Sequence, residues 1–467
     1  MIEPPLAVDL DGTLIQGDVT EQAFLDLLFN KPWKAFTALL VLIFKGNLAF
    51  KIYLAENSPK TSFNFNFNPQ FLEFLKAEKE KGRYLILISA SPQKLVELVK
   101  PPLFNEAIGS GEINLRGSNK ASYLVRRFQL KGFDYAGNAP PDFKVFEKCR
   151  KPILVGAHPS LIKKFRRKYP YGEVFDPHPS KISTILEALR LHQWAKNILI
   201  FVTPVLGKAF SLDTVFDLIA CFVGFSLVCS SSYVLNDLAD IEKDRAHSKK
   251  RFRPFASGRL NVWIGLALGF LSLVAGVIIN FYTSHLAGLL ALSYFLLSGV
   301  YSFKLKRIPL VDIFALQLFY LIRLYLGALV SEVVVSNWLL IFSMFGFLSV
   351  SSAKRVSEIL GEQKTLSYKA RGYLKKDLNF LANFGLISGV LCSLVYLFYL
   401  NSDQVVNQYS NPAFLWLIFP LILYWFSYLW LVVFRGASLE DPVIFMFSSK
   451  SSLFVLLLAG LCLYFAY

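Results

Sequence analysis

Residues 218–244 read LIACFVGFSLVCSSSYVLNDLADIEKD, and the change of character within this stretch decides the fold. Its first part completes an apolar run, residues 212–235, that is long enough to cross the hydrocarbon core of a bilayer. Asp237, Asp240 and Asp244 follow at once. Their spacing of three and four residues puts the three carboxylates on one face if the segment is helical. The stretch therefore predicts a membrane helix that leads into an acidic face.

The second part of the chain consists mainly of such apolar runs. The chain has 467 residues, of which 54% are hydrophobic, and the long apolar runs lie after residue 185. We expect an all-α polytopic membrane domain over residues 179–467, with about nine transmembrane helices. The runs lie at approximately residues 190–207, 212–235, 261–281, 284–303, 309–330, 335–353, 379–400, 412–434 and 448–466.

The formal net charge is +16, and in the second part the cations are concentrated in alternate loops between the apolar runs. This asymmetry is typical of cytoplasmic loops. It predicts a multi-pass protein of the plasma membrane, with its N-terminal domain and basic loops in the cytoplasm and Tyr467 on the opposite side. It also argues against nucleic-acid binding, because the cations do not form a soluble face interleaved with aromatic residues. The basic loops include Lys243, Arg245, Lys249, Lys250, Arg251, Arg253, Arg259, Lys304, Lys306, Arg307, Lys354, Arg355, Lys364, Lys369, Arg371, Lys375 and Lys376.

Residues 1–178 have the composition of a soluble domain. Short apolar strands occur in PLAVDLDGTL (residues 5–14), GRYLILISAS (82–91), FDYAGN (133–138) and KPILVG (151–156), and helical text lies between them. This alternation predicts a Rossmann-like α/β domain with a parallel sheet. The helical stretch WKAFTALLVLIFKGNLAFKIYL (residues 33–54) has an uninterrupted apolar core, between Lys34 and Lys45, of only about half a membrane span, so we expect it to be buried or to graze the membrane.

Polar residues follow the predicted strands, where open α/β sheets bind their ligands. DLDGTL and these residues resemble the four motifs of the haloacid dehalogenase (HAD) phosphatase superfamily, over residues 5–157. The resemblance implies that Asp9 is a nucleophile that forms an aspartyl-phosphate and that Asp11 is the general acid/base. It further implies a substrate-selecting helical cap at about residues 18–80. It also implies phosphoryl-group ligands at Ser89 and Lys120 and Mg²⁺ ligands at Asp9, Asp11, Asn138 and Asp142.

Asn138 departs from the pattern of that superfamily, which usually has Asp at this position. An amide oxygen can still bind Mg²⁺, but one negative charge is lost. The alternative is a degenerate domain with a structural or regulatory role.

The acidic segment after residue 235 indicates phosphate chemistry. Carboxylates contribute little to membrane topology, so the positive-inside bias does not explain them. Mg²⁺ binds carboxylates together with substrate phosphates, and Lys and Arg pair with the remaining phosphate charge. The segment therefore predicts a Mg²⁺–diphosphate site, with a solvated juxtamembrane turn as the alternative. The predicted metal ligands are Asn236, Asp237, Asp240 and Asp244, and the predicted diphosphate ligands are Lys249, Arg251 and Arg253.

Three motifs resemble the UbiA superfamily of intramembrane transferases: LRLHQWAKN (Leu189–Asn197), NDLADIEKD (Asn236–Asp244) and RP…SG (Arg253–Gly258). The resemblance covers residues 185–467. Aromatic prenyltransferases of this superfamily carry a second aspartate-rich motif after the sixth span. This chain has AKRVSEILGEQ (residues 353–363) and RGYL (371–374) there instead, which is similar to decaprenyl-phosphate phosphoribosyltransferases.

That resemblance implies transfer of 5-phosphoribosyl from phosphoribosyl diphosphate (PRPP) to a polyprenyl phosphate, with release of diphosphate. The HAD domain would then remove the ribose 5-phosphate from the lipid-linked product. The alternatives are a prenyltransferase that uses a prenyl diphosphate donor beside a degenerate HAD domain, and a membrane scaffold or transporter without catalysis. Asp312 would bind ribose hydroxyls or stabilise the charge at ribose C1. The remaining predicted substrate ligands are Lys196, Asn197, Lys304, Arg323, Lys354, Arg355, Glu358 and Arg371.

Overall fold

The computed structural model describes residues 3–58, 64–209, 211–361, 371–437 and 442–467. The chain divides into two compact units, which are described separately. The first unit contains Met1–Leu189 and Tyr233–Gly269, and the second contains Arg190–Ser232 and Phe270–Tyr467. The domains at 1–178 and 179–467 stay a prediction, and the acidic segment belongs to the same compact unit as the N-terminal sheet.

A six-stranded parallel sheet forms the centre of the first unit, in the order β3-β2-β1-β4-β5-β6. The strand order reverses at β1, which pairs with both β2 and β4. Leu6 and Val8 pack on one face of the sheet and Ala7 on the other. Burial on both faces explains why the strands appear in the sequence as continuous apolar runs. The strands are β1 (Leu6–Asp9), β2 (Leu85–Pro92), β3 (Glu106–Ser110), β4 (Asp134–Gly137), β5 (Pro152–Val155) and β6 (Glu173–Phe175).

Three helices lie between β1 and β2, over the residues predicted as a cap. Asp18 caps the first of them by accepting hydrogen bonds from the backbone of Thr20 and Glu21. The second is interrupted at Gly46, where φ is 81°. The helices of this part are α1 (Val19–Asn30), α2 (Pro32–Asn57), α3 (Pro69–Glu80), α4 (Gln93–Val99), α5 (Ser118–Phe128), α6 (Phe143–Phe146), α7 (Pro159–Lys168) and α8 (Lys181–Ala188).

The rest of the chain is helical. Helices α10 and α12 continue from one unit into the other, and α11 belongs to the first unit. A 3₁₀ helix, Leu191–Phe201, precedes α9. The helices are α9 (Val202–Leu206), α10 (Leu212–Ala239), α11 (Ile241–Ala246), α12 (Val262–Thr283), α13 (His285–Phe303), α14 (Val311–Ser331), α15 (Asn337–Leu360), α16 (Leu378–Leu400), α17 (Asp403–Gln408), α18 (Ala413–Trp416), α19 (Ile418–Phe434), α20 (Pro442–Ser448) and α21 (Lys450–Ala466).

Within the described ranges, eight helices are long and apolar enough to cross a membrane. The predicted count of about nine is not confirmed. Residues 190–207 form the 3₁₀ helix and the short α9, and α21 has only 17 residues. The protein is a multi-pass membrane protein. The eight helices are Pro32–Asn57, Leu212–Ala239, Val262–Thr283, His285–Arg307, Val311–Ser331, Asn337–Leu360, Lys375–Leu400 and Ala413–Phe434.

Candidate active sites

The predicted HAD residues lie together at the carboxyl edge of the sheet. We call this cluster the strand-end site. It lies where the strand order reverses, which is the position at which open α/β sheets bind ligands. Its members are Asp9, Asp11, Ser89, Lys120, Asn138 and Asp142.

Asp9 is paired with the predicted lysine. Lys120 Nζ lies 2.7 Å from Asp9 Oδ1, and the Lys120 side chain is buried. Burial raises the pKa of the Asp9 carboxyl to about 7, while the Lys120 ammonium favours the charged form and opposes that rise. A buried ammonium beside a carboxylate can also neutralise an incoming phosphoryl group.

Tyr135, on β4, links Lys120 to Asp142. Its hydroxyl accepts a hydrogen bond from Lys120 Nζ at 3.0 Å and donates one to Asp142 Oδ1 at 2.7 Å. Burial and the nearby carboxylate of Asp142 hold the pKa of the Tyr135 phenol well above its usual range, so it remains a donor. The sequence analysis missed this residue, because an aromatic residue in a buried strand resembles an ordinary core residue.

Asp11 is held by donors from two elements. Its Oδ1 accepts from the backbone N–H of Val19 at 2.9 Å, and its Oδ2 accepts from the hydroxyls of Ser89 (3.0 Å) and Ser91 (2.8 Å). Ser91 was also missed, although it lies two residues after Ser89 on the same strand and therefore on the same face. These contacts fix the Asp11 carboxylate in one orientation.

Asn138 lies against the turn of the DLDGTL motif. A side chain at Gly12, where φ is +73°, would place its Cβ 1.9 Å from Asn138 Nδ2, so only glycine fits at that position. Asp142 Oδ2 accepts from the backbone N–H groups of Asn138 (3.0 Å) and Ala139 (2.9 Å). The loop that carries Asn138 is therefore fixed by Asp142.

In the acidic segment, two of the three aspartates meet at one arginine. Arg253 Nη1 lies 3.1 Å from Asp237 Oδ1 and 2.7 Å from Asp244 Oδ2. Asp240 instead contacts Lys243, at 2.9 Å, because α10 ends at Ala239 and the chain is not helical at Asp240. The three carboxylates therefore do not share one continuous helix: Asp237 lies on α10 and Asp244 on α11, and these two converge on Arg253. Burial raises the pKa of the Asp244 carboxyl, and Arg253 opposes this rise.

The other predicted ligands of this segment are more open. Asn236 is half-buried on the last turn of α10, and Lys249 and Arg251 are exposed. The Arg251 guanidinium lies over the Phe252 ring, 4.8 Å from its centroid. The segment thus carries a carboxylate pair and exposed cations within a few residues of each other in the chain.

The acidic segment packs directly on the N-terminal domain within the first unit. Arg245, next to Asp244 in the chain, is buried and donates from Nη1 to Gln22 Oε1 (3.1 Å) and to the Asn64 carbonyl (2.9 Å). Burial lowers the pKa of Arg245 to about 10. Its guanidinium also lies over the Phe65 ring, 4.4 Å from the centroid. Sequence reasoning had treated Arg245 only as a topology signal.

Two further contacts join the N-terminal domain to the residues after the acidic segment, one at Gly258 and one at Glu21. A Cβ at Gly258, where φ is +66°, would lie 2.4 Å from the backbone nitrogen of Gly17. Glu21, on α1, accepts from the backbone N–H of Val262 at 3.0 Å and from the Asn261 amide, and so caps the start of α12. Burial and the nearby Asp18 raise the pKa of Glu21 to about 8.

In the second unit, Asp312 belongs to a buried ionic cluster. It accepts from Tyr301 Oη at 2.7 Å and from Arg355, whose Nη2 is 2.9 Å away. Arg355 Nη1 donates to both oxygens of Glu358, at 2.7 and 2.8 Å. Arg371 contacts Asp312 and Glu358 at the longer distances of 3.5 and 3.3 Å. Two carboxylates here neutralise two guanidinium groups, so Arg355 is committed to the protein and Arg371, at 25% exposure, is the more accessible cation.

Arg323 and Asn197 also meet within the second unit. Arg323 Nε donates to Asn197 Oδ1 at 2.8 Å, and Asn197 Nδ2 donates to Ser226 Oγ at 2.8 Å. The Arg323 guanidinium lies near the rings of Phe225 and Tyr294, at 5.3 and 5.4 Å. Three other predicted ligands are more exposed to solvent than Asn197 and Arg323, which are buried. Lys196 and Lys354 are half-buried, and Lys304 is exposed at the end of α13. Lys364 and Lys369 lie outside the described residues.

The donor sets fit a hard divalent cation that binds together with phosphate. Across the described parts of the chain, no three His, Cys, Asp or Glu side chains form a metal site by themselves. Mg²⁺, however, usually takes one or two protein carboxylates and completes its shell with water and substrate phosphates. Asp237 and Asp244 fit this pattern because their oxygens approach the same nitrogen. The oxygen donors of the strand-end site fit it as well.

Comparison with known proteins identifies the second part of the chain. The model of the UbiA prenyltransferase family matches residues 199–451. An uncharacterised protein of Sinorhizobium fredii is 32% identical over 460 residues, which cover 97% of this chain and 89% of that protein. A decaprenyl-phosphate phosphoribosyltransferase of Mycolicibacterium smegmatis is 31% identical over 225 residues, which cover 46% of this chain and 70% of that protein.

Solved structures resemble this chain less closely than the sequence relatives do. A UbiA homologue from Archaeoglobus fulgidus, bound to GPP and Mg²⁺, is 16% identical and covers 60% of this chain and 99% of its own, with a TM-score of 0.46. Four solved phosphatases and HAD-type hydrolases cover 34–38% of this chain, with TM-scores of 0.23–0.28. These TM-scores are too low to assign a fold or a function to this chain. The family model, in contrast, covers more than half of the chain, and the protein belongs to the UbiA prenyltransferase family.

Proposed function

We propose that this chain transfers the 5-phosphoribosyl group of PRPP to a polyprenyl phosphate and then removes the 5-phosphate of the lipid-linked product. The observation that carries the proposal is the convergence of Asp237 and Asp244 on Arg253, with Lys249 and Arg251 close by in the chain. Carboxylates and cations together suit a diphosphate that binds with a divalent ion. The name of the mycobacterial relative supports PRPP as the donor.

In the proposed transfer, an oxygen of the lipid phosphate attacks C1 of the ribose. The bond from C1 to the diphosphate oxygen breaks, and the diphosphate leaves with the bonding electron pair. Mg²⁺ held by Asp237 and Asp244, with Asp240 and Asn236, would neutralise charge on the diphosphate. Arg253 would move from the carboxylates to the diphosphate oxygens, aided by Lys249 and Arg251.

The lipid phosphate and the ribose 5-phosphate need cations of their own. We assign this role to Lys196, Lys304 and Arg323, with Arg371 and Lys354 as further cations and Asn197 as an uncharged polar ligand. Asp312, Arg355 and Glu358 act in this proposal as positioning residues, because their charged atoms contact one another. This replaces the predicted direct contact of Asp312 with ribose.

The donor test uses the full-length protein in lipid nanodiscs with Mg²⁺ and decaprenyl phosphate. PRPP should yield lipid-linked ribose phosphate and free diphosphate, whereas geranyl diphosphate should yield no product. Asp237→Asn should lose the reaction. Transfer from geranyl diphosphate but not from PRPP would overturn the proposal in favour of a prenyltransferase, and no turnover with either donor would favour a scaffold or transporter.

We further propose that the strand-end site hydrolyses the 5-phosphate. Asp9 attacks phosphorus, the ribose oxygen leaves, and Asp11 donates its proton to that oxygen. Water then attacks the aspartyl-phosphate, the bond between phosphorus and the Asp9 oxygen breaks, and Asp11 accepts the proton of the water. Inorganic phosphate is released, and both carboxyl groups return to their starting state. Asp9→Asn should allow transfer but stop dephosphorylation, so that lipid-linked ribose phosphate accumulates. Unchanged dephosphorylation by Asp9→Asn would exclude this role.

We propose the plasma membrane as the location, with the basic loops and the N-terminal domain in the cytoplasm. PRPP is soluble, so this orientation gives the proposed donor site access to it. Reporter fusions test the orientation. A reporter that fluoresces only in the cytoplasm should be bright at the N-terminus and dark at the C-terminus, and the reverse pattern would contradict the proposal.

A further inference from the structure

Helix α2 presents a row of large apolar side chains that the described residues of the first unit leave exposed. Exposed apolar side chains usually occur singly on soluble domains, whereas a contiguous row marks an interaction surface. The row follows helical spacing, so its members share one face. We call this row the α2 face, and its residues are exposed to the following extents: Trp33 83%, Phe36 56%, Leu40 37%, Ile43 72% and Phe44 81%.

The opposite side of α2 is fixed in the core of the N-terminal domain. Ala35, Ala38 and Leu54 are buried there. Phe24 of α1 and Phe71 of α3 belong to the same core. Since the helices before and after α2 return to one core, α2 does not cross a bilayer, although its length and composition alone would allow it.

The surroundings of α2 bring it to the start of a membrane helix. Trp263 lies in the first turn of α12, and its ring contacts Phe24 at 4.6 Å and Phe50 of α2 at 6.1 Å between centroids. Tryptophan at the end of a membrane helix typically marks the level of the lipid headgroups. Helix α2 therefore lies beside a point where the chain enters the membrane.

The charges of α2 match an anionic lipid surface. Helix α2 contains Lys34, Lys45 and Lys51, follows Lys31, and has one acidic residue, Glu56, in its last turn, so the balance is basic. Helices that lie in the membrane interface combine Trp, Phe and Leu on one side with Lys or Arg on the other. Anionic headgroups attract such cations.

We propose that the α2 face inserts into the interfacial region of the bilayer and holds the N-terminal domain against the membrane. This goes beyond the proposed function. If that function holds, the cap lies at the surface where a lipid-linked phosphate becomes available to the strand-end site. The proposal does not depend on either activity, so its test can fail or succeed independently of the assays above.

The test replaces exposed side chains of the full-length protein with photoreactive p-benzoyl-phenylalanine. Phe36 and Phe44 are the test positions, since the replacement is aromatic like the native residue. Ile113 and Tyr171, at 64% and 97% exposure, are matched controls in the same unit. The variants are reconstituted in liposomes of phosphatidylglycerol and phosphatidylcholine that contain a trace of fluorescent lipid, and they are irradiated.

We expect lipid adducts at Phe36 and Phe44 to exceed those at the control positions by about tenfold, as for a helix buried in the headgroup and acyl boundary. Equal elution of all variants in size-exclusion chromatography shows that each is folded. Lipid adducts at the control level would overturn the proposal. Adducts to a second copy of the protein would assign the α2 face to an oligomer contact instead, which also overturns it.

Discussion

Arg253 and Arg355 each contact two carboxylates, but they do so in different surroundings. The Arg253 side chain is 28% exposed and lies in the acidic segment, in contact with Asp237 and Asp244. The Arg355 side chain is 1% exposed and is enclosed by Asp312 and Glu358. Asp237 and Asp244 are themselves only 2% and 5% exposed, so Arg253 also compensates buried charge, but solvent or a ligand can reach its guanidinium. The Arg355 guanidinium is closed off by its partners. The same residue type is therefore available to a ligand in one place and structural in the other.

The largest expected effect comes from breaking the buried cluster. Arg355→Met leaves Asp312 without its main partner, and we expect a loss of about 3–5 kcal/mol of stability. Thermal unfolding of the purified protein in detergent measures this loss. Arg371→Met is the matched control: its contacts are longer and partly exposed, so its unfolding temperature should stay close to that of the unmodified chain. An unchanged unfolding temperature for Arg355→Met would contradict the structural role.

Arg253→Ala should reduce transfer activity more than it reduces stability. We expect phosphoribosyl transfer to fall by about 10- to 100-fold, the equivalent of charge-assisted hydrogen bonds worth roughly 1.5–3 kcal/mol. The unfolding temperature should fall less than for Arg355→Met, because Arg253 is partly exposed and solvent can reach the carboxylates that it leaves. Lys243→Ala is the control, since Lys243 is 70% exposed and contacts Asp240 from the surface. The availability of Arg253 to a ligand is disproved if both variants keep full transfer activity.

Gly258→Ala tests whether the close approach of Gly258 to Gly17 stabilises the packing of this segment on the N-terminal domain. The added Cβ would lie 2.4 Å from the Gly17 nitrogen, and we expect a destabilisation of about 1–3 kcal/mol from overpacking and backbone strain. Gly82→Ala is the control, because Gly82 also has positive φ, +78°, but has no atoms within 4 Å of the added Cβ. Proteolysis of the folded protein should be faster for Gly258→Ala, and equal rates would show that the close approach is unimportant.

The smallest expected effect concerns Tyr135. Tyr135→Phe removes the hydroxyl that contacts Lys120 and Asp142, and we expect dephosphorylation to slow by about tenfold, as for one lost buried hydrogen-bonding group. Phosphoribosyl transfer should not change. Tyr84→Phe serves for comparison, because the Tyr84 hydroxyl makes one long contact, 3.5 Å, with Glu106 at the surface. Equal phosphatase rates for the two variants would remove Tyr135 from the strand-end site.

Local motifs made much of this architecture predictable. DLDGTL and the strand text around it predicted a parallel α/β sheet, because buried strands and the polar residues at their ends are visible in a single sequence. The apolar runs predicted a multi-pass membrane protein for the same reason. Run length was a poorer guide to helix count, since residues 190–207 are apolar enough for a span but form a 3₁₀ helix and a short α-helix.

Pairings over long sequence distances could not be predicted. KRVSE resembled a phosphate-binding cluster, but Asp312 lies 43 residues before Arg355 and neutralises it. Arg245 resembled a topology signal, yet it contacts Gln22, 223 residues away. Such partners are determined by tertiary packing, which a single sequence does not display.

The most direct test follows one molecule of PRPP through both proposed reactions. PRPP carrying a carbon label in the ribose and a phosphorus label in its 5-phosphate is incubated with the full-length protein, Mg²⁺ and decaprenyl phosphate, and the lipid and water phases are separated over time. We predict that both labels enter the lipid phase together and that only the phosphorus label then returns to water as inorganic phosphate. If both labels remain in the water phase throughout, the central claim is wrong.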